Sequence, residues 1–205
     1  MDVFNFFFND SPKITKILTI SCIVISLMTW FEIITPLYIY FNYELIFKKL
    51  QLWRVISNFF YFGNFSLSLI FHLILFFRNS KYLEKSVFKG NSADYIYFLM
   101  ISMVSLSIIG PYTGIVFLSN SLSFTMTYYW GRKSKNTHVN FMGFFILRAP
   151  YLPWFYLLFS FLLESDFRND LLGMIVGHIY FYFKDIFPRL KSSNGMQILE
   201  TPDIL

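Results

Sequence analysis

Leu171-Leu172-Gly173-Met174-Ile175-Val176-Gly177-His178-Ile179-Tyr180-Phe181-Tyr182-Phe183 runs for 13 residues without a charged side chain and without apolar/polar alternation. A membrane-barrel strand alternates at period two, and a helix facing water carries a polar stripe. This run does neither, so it reads as a helix among apolar neighbours. Gly173 and Gly177 stand four apart, the spacing that lets two helix backbones approach closely in lipid.

Five further apolar runs precede it: Ile17–Ile34, Phe59–Phe77, Tyr95–Ile109, Tyr112–Trp130 and Tyr151–Leu163. Polar loops separate all but the third and fourth, which the spacing joins through a tight Gly110-Pro111 hairpin. Composition agrees with six helical spans. Of 205 residues 56% are hydrophobic and 22% aromatic, with 28 Phe and 14 Tyr. Only 14% are charged, and the mean hydropathy is +0.52. A disordered chain needs the opposite balance. A soluble globule needs more charge, about a quarter of its residues. A single cysteine, Cys22, rules out a disulfide scaffold and a Cys-rich metal site. The expected fold is an all-α integral membrane domain.

The net charge of +5 is not gathered into a patch dense enough for nucleic acid. Its distribution instead orients the spans, because Lys and Arg concentrate in cytoplasmic loops. Lys13, Lys16, Arg78, Lys81, Lys85, Lys89, Arg132, Lys133, Lys135, Arg148, Lys184, Arg189 and Lys191 fall on one side, 13 in all. Lys48, Lys49, Arg54 and Arg168 make four on the other. Both termini are therefore expected in the cytoplasm. No small-residue cleavage site follows the first run, so it is read as a retained span, not a signal peptide. Asn9-Asp10-Ser11 would then be cytoplasmic and Asn64-Phe65-Ser66 intramembrane, so neither is expected to carry glycan.

The fifth and sixth runs are short. Thirteen helical residues rise about 20 Å, against a hydrocarbon core of about 30 Å. They must be sheltered by longer neighbours or thin the bilayer around them. Chemistry-bearing residues are few. A His inside a membrane is a functional candidate unless it is merely hydrogen-bonded, which applies to His178 and, with less context, to His72. His138 lies in a loop. No ligand spacing for a metal, no phosphate loop and no Gly-x-Ser-x-Gly elbow is present. Ser119-Asn120-Ser121-Leu122-Ser123 reads as helix-packing glue. Trp53-Arg54 sets a cation on the side opposite the positive majority, which implies a local demand there.

Trp53-Arg54, taken with Gly173-x-x-x-Gly177-His178-x-Tyr180, resembles the Derlin family, rhomboid-like proteins of the endoplasmic reticulum. The likeness covers nearly the whole chain. It includes Ile34-Thr35-Pro36, Phe41-Asn42-x-Glu44-Leu45-Ile46-Phe47-Lys48, Asn58-Phe59, Leu83-Glu84 and Ala93-Asp94-Tyr95. Further along come Ala149-Pro150-Tyr151-Leu152-Pro153-Trp154, Asp185-x-Phe187-Pro188 and the run Leu199-Glu200-Thr201-Pro202-Asp203-Ile204-Leu205. The resemblance implies a six-transmembrane-helix rhomboid-like bundle over residues 1–188 with a short cytoplasmic tail, 189–205. It implies a multi-pass protein of the endoplasmic reticulum membrane, acting in protein quality control as a component of endoplasmic-reticulum-associated degradation (ERAD). Its expected partners are a membrane RING ubiquitin ligase complex, a hexameric AAA unfoldase, misfolded client proteins and the lipid bilayer. No cofactor is implied. The tail lacks the Phe/Gly motif with which some Derlins dock the unfoldase, so that contact is expected to be indirect. The motif residues it singles out are Trp53, Arg54, Gly173, Gly177, His178 and Tyr180.

Rhomboid proteases place a Gly-x-Ser-Gly nucleophile in the fourth span and a His three residues before the Gly-x-x-x-Gly of the sixth. Here Ser119 and Leu122 flank Ser121, and Asp170 stands where that His would be. A serine hydroxyl without an adjacent base is a poor nucleophile. The resemblance therefore implies a rhomboid pseudoenzyme and argues against an intramembrane serine protease. A transporter or channel fits worse, since no internal repeat or mid-span charge is apparent.

The charge asymmetry predicts that protease added to intact microsomes removes a C-terminal tag. Protection of that tag would reverse the orientation.

Overall fold

Helix α1 (Lys13–Trp30) turns its hydroxyl and thiol groups inward: Thr15, Thr19, Cys22 and Ser26 are buried. Ile17, Ile20, Val24 and Leu27 face outward and are exposed. A helix on a water-soluble core shows the reverse arrangement. This inside-out pattern suits a chain whose solvent is lipid. The computed structural model describes residues 11–141, 145–162, 166–190 and 197–202. The first ten residues (with Asn9), Leu163, Lys191 and residues 203–205 lie outside that set.

Two short helices, α2 (Tyr43–Lys48) and α3 (Trp53–Ser57), follow α1, and then α4 (Leu67–Tyr82). Beyond come α5 (Ser92–Ile109), α6 (Ser119–Lys133), strands β1 (His138–Phe141) and β2 (Phe145–Arg148), α7 (Leu152–Leu162) and α8 (Phe167–Phe181). Among the described residues, two helices are long and apolar enough to cross a membrane, α1 and α5 with the turn that extends it to Thr113. α6 lies at the centre, with every residue from Ser121 to Gly131 buried. Beside it the rings of Phe98, Tyr129 and Tyr180 pack with centroids 4.8–5.1 Å apart.

Hydrogen bonds define the two ends of the bundle. At one end, Phe41 N–H donates to Val116 O at 2.9 Å and the Ser119 hydroxyl donates to Tyr61 O at 2.5 Å. At the other, the Glu84 carboxyl accepts from Ile14 N at 3.2 Å, from Thr15 N at 2.8 Å and from the Thr15 hydroxyl at 2.8 Å. These are first-turn N–H groups of α1, which have no partner inside the helix. Ser80 extends this network to Thr15 at 2.9 Å and to the Tyr95 hydroxyl at 2.6 Å. Glu84 is 1% exposed. Leu199 and Thr201 lie against this same end, through Lys184 and Asp94.

Several expectations need correction. The chain is not wholly helical: β1 and β2 form an antiparallel pair with His138 opposite Arg148. The second run does not become helical until Leu67, because Gly63 takes a φ of +114° and Ser66 caps the new helix through Leu69 N. The third and fourth runs are not joined by a tight hairpin. A 3-10 turn over Gly110–Thr113 and Gly114 at φ +74° delay α6 to Ser119. The sixth helix is not short. Polar Arg168, Asn169 and Asp170 lie inside it, and a π turn carries it on through Tyr182–Ile186, roughly 30 Å in all. The fifth remains short: α7 has 11 residues, about 17 Å, and even a helix continuing to Asp166 would rise only about 22 Å.

Glu84→Leu should lower stability by about 3 kcal/mol, because it strips two buried N–H groups and a hydroxyl of their acceptor. Thermal unfolding in detergent checks this, and an unchanged midpoint would show that Glu84 is not the cap.

Candidate functional site

Helices α6 and α8 run parallel and are joined by four rungs. The Ser121 hydroxyl donates to Asn169 O at 2.8 Å and lies 3.0 Å from Asn169 Oδ1. The Thr125 hydroxyl lies 2.9 Å from both Ser121 O and Gly173 O. Tyr128 OH and His178 Nδ1 are 2.7 Å apart, and Lys133 Nζ meets Asp185 Oδ1 at 2.7 Å. In lipid, with little hydrophobic drive between helices, such polar rungs and close packing carry the association.

The two glycines make that closeness possible. A Cβ on Gly173 would stand 2.2 Å from Ser121 O and 2.7 Å from Phe124 Cβ. One on Gly177 would stand 3.0 Å from Tyr128 Cβ and 3.1 Å from Thr125 O. Gly173 is the tighter, with helix backbone 2.2 Å from the added Cβ against 3.1 Å at Gly177. A third close approach, absent from the sequence reading, is at Gly131, where a Cβ would fall 2.6 Å from Ala149 O. Nothing in the sequence marks it, because Gly131 before Arg132-Lys133 reads as an ordinary helix end. The hydroxyl rungs did carry a signal: Ser121, Thr125 and Tyr128 recur at i, i+4 and i+7, one helix face.

The sequence candidates divide among three places. Gly173 and Gly177 lie in the seam. His178 is exposed at its margin, held by Tyr128, whereas Tyr180 is buried on another face against Phe98 and Tyr129. The two do not form one site. Trp53 and Arg54 lie in the loop between α1 and α4. Arg54, 4% exposed, donates from Nη1 to Leu37 O at 2.8 Å and Tyr40 O at 3.1 Å, and from Nε to Gln51 Oε1 at 2.7 Å. Trp53 Nε1 donates to Tyr38 O at 3.2 Å. Together they clasp the turn at residues 37–40. Of the other candidates, His72 stacks on Phe62 and His138 opens β1.

The seam has little capacity for acyl transfer. Ser121 directs its proton at Asn169, and His178 lies nine residues along α8 from that rung, about 14 Å. A general base must reach the proton it abstracts, within about 3 Å or through one water. Asp170 is buried and hydrogen-bonded to Ser160. The arrangement is one of fit between helices.

The Der1-like family model matches residues 11–203. A probable derlin-2 homolog of Dictyostelium discoideum is 34% identical over 209 residues, covering 98% of this chain and 81% of its own. Derlin-2.1 of Zea mays and Derlin-2 of Oryza sativa subsp. japonica are each 36% identical, covering 97% of this chain and 83% of theirs.

The difference between the two glycines is testable. Gly173→Ala should cost about 3 kcal/mol and Gly177→Ala about 1 kcal/mol, because the first drives a methyl to 2.2 Å from backbone while the second meets backbone only at 3.1 Å. Equal or inverted losses in detergent unfolding would contradict this seam.

Proposed function

The chain belongs to the Der1-like family, the derlins, a membrane-associated family tied to ERAD, and on that premise we propose that it is a non-catalytic component of that pathway. In this reading it is a multi-pass protein of the endoplasmic reticulum membrane, a six-span rhomboid-like bundle with both termini in the cytoplasm. It helps move misfolded proteins to the cytosol beside a membrane RING ubiquitin ligase and a hexameric AAA unfoldase. The observation that carries the reading is the continuity of the family match across residues 11–203, through both Trp53-Arg54 and the glycine seam.

The physical support lies in α7. The described turns of α7, Leu152–Leu162, rise about 17 Å, and a helix of at most about 22 Å beside a hydrocarbon core of about 30 Å draws the two leaflets together locally. A polar client segment crossing there meets a shorter apolar path and a lower desolvation barrier. A lateral opening in the bundle would give the client its way in. The protease alternative lacks a base for Ser121, and no observation favours it.

Clearance of a misfolded luminal glycoprotein, followed by pulse-chase after deletion of the gene, tests this. The wild-type chain and Ser121→Ala should both restore it. A variant with four Leu inserted between Phe161 and Leu162, lengthening the fifth span by about 6 Å, should bind the ligase yet clear clients poorly. Failure of the wild type to restore clearance would remove the ERAD role. Loss of cleavage of a membrane substrate in a Ser121→Ala variant of wild-type thermal stability would revive the protease, and wild-type rates with the longer span would remove thinning at α7.

A further inference from the structure

Leu171, Ile175, His178 and Tyr182 are exposed along one face of α8 and the π turn that continues it. Leucine and isoleucine suit a helix that faces lipid, but an imidazole does not. The helix with its π turn runs from Phe167 to Ile186. His178 therefore lies about 16 Å from one end and about 12 Å from the other, near the middle of the span.

The ring is held by one nitrogen only. Its Nδ1 lies 2.7 Å from the Tyr128 hydroxyl, on the side of the seam. Among the described residues that hydroxyl has no other acceptor, so its proton goes to Nδ1 and the neutral ring carries its own on Nε2. The two ring nitrogens diverge, which turns Nε2–H away from the seam, and no described residue accepts from it. A hydroxyl on a helix surface can close on its own backbone, as Ser21 does on Ile17 O at 2.9 Å. His178, tied to Tyr128, makes no such bond. A donor left bare in hydrocarbon is costly.

The geometry points to this face of α8 as a docking surface for a transmembrane helix of another protein. That helix carries a side-chain oxygen, from Asn, Gln, Ser or Thr, near the middle of its span to accept from His178 Nε2. The inference rests on the membrane-spanning reading proposed above.

Three observations identify the occupant. Acyl chains offer no acceptor at this depth, whereas a bond to a neighbouring helix is the usual satisfaction of a membrane histidine. Next is spacing: Leu171, Ile175, His178 and Tyr182 follow one another at four, three and four residues, the repeat of a two-helix seam. The last excludes a second copy. Two copies on a twofold axis meet through the same groups. His178 would then set N–H against N–H, with the acceptor nitrogen of each ring already taken by Tyr128. The acceptor must come from a different sequence.

Synthetic spanning peptides test this. Three Leu/Ala-rich helices of equal length carry an acceptor dye and differ in one residue: a central Asn, an Asn moved two turns toward one end, or no polar residue. The full chain carries a donor dye at Lys135→Cys, an exposed loop position, in a Cys22→Ala background that removes the buried thiol. Binding is read by energy transfer in phosphatidylcholine vesicles, with the peptides dilute enough to stay monomeric. The central-Asn peptide should bind about three- to ten-fold more tightly than the other two, as one interhelical hydrogen bond in lipid allows. His178→Leu should abolish that preference. His178→Gln, which keeps an N–H donor, should retain most of it, which separates loss of the donor from loss of the fold.

A bimane at Ile175→Cys, in the same background, reports depth through quenching by lipids brominated at mid-chain. Quenching there, with equal binding of all three peptides or of the two Asn peptides, would overturn the docking face and leave the bundle in the membrane. A preference that survives His178→Leu would overturn it by locating the contact elsewhere. Energy transfer between donor- and acceptor-labelled copies of the chain, lost with His178→Leu, would overturn it in favour of a second copy. Absence of quenching at residue 175 would overturn the membrane-spanning reading as well.

Discussion

The parallel seam between α6 and α8 is the constraint from which the rest of the structure follows. In lipid, close packing and interhelical hydrogen bonds must hold helices together, and the closest packing requires residues without side chains. Gly173 admits the Ser121 carbonyl, Gly177 admits Tyr128, and the hydroxyls of Ser121 and Thr125 bond across the gap so created. With α8 fixed on one flank, α6 becomes the axis of the bundle. α4 bonds to it through Asn79 and Thr127, and the chain after β2 rests on Gly131.

A central helix lined with serine and threonine would be a poor core in water and is a workable one in a membrane. The outward faces of α1 and α8 supply the complement, with Leu171, Ile175 and Ile179 exposed on α8. Polar groups inside are paired with each other: Glu84 caps α1, and Ser80 links Thr15 to Tyr95. Such a core holds the elements at its margins in place, among them the short α7 and the clasped loop at residues 37–56.

Much of this is legible in the sequence. Each of the six apolar runs contributes to a different one of the helices α1, α4, α5, α6, α7 and α8, and the Gly173/Gly177 spacing marks the tightest glycine contact. What was misread has a local cause. Hydropathy cannot see Gly63 and Gly114 at positive φ, so two helices begin seven or eight residues later than their apolar runs. It also ended the sixth helix at its charges, although Asp170 and Asn169 are held by partners on other helices. The hairpin β1–β2 coincides with the apolar stretch 141–147, which is too short for a span and so reads as part of a loop. His178 and Tyr180 belong to one motif by resemblance to the family and stand two residues apart in the sequence. Two residues on a helix are about 200° apart, and the structure accordingly sends them to different faces.

The claim that this chain acts through shape on the bilayer can be met most directly by imaging the bilayer itself. In a cryo-EM map of the protein in a lipid nanodisc, the distance between headgroup layers can be read around the circumference of the bundle. It should narrow by about 5–10 Å beside α7 relative to the lipid beside α5, following the difference in helix rise. A hydrocarbon layer of uniform thickness around the whole bundle would contradict it.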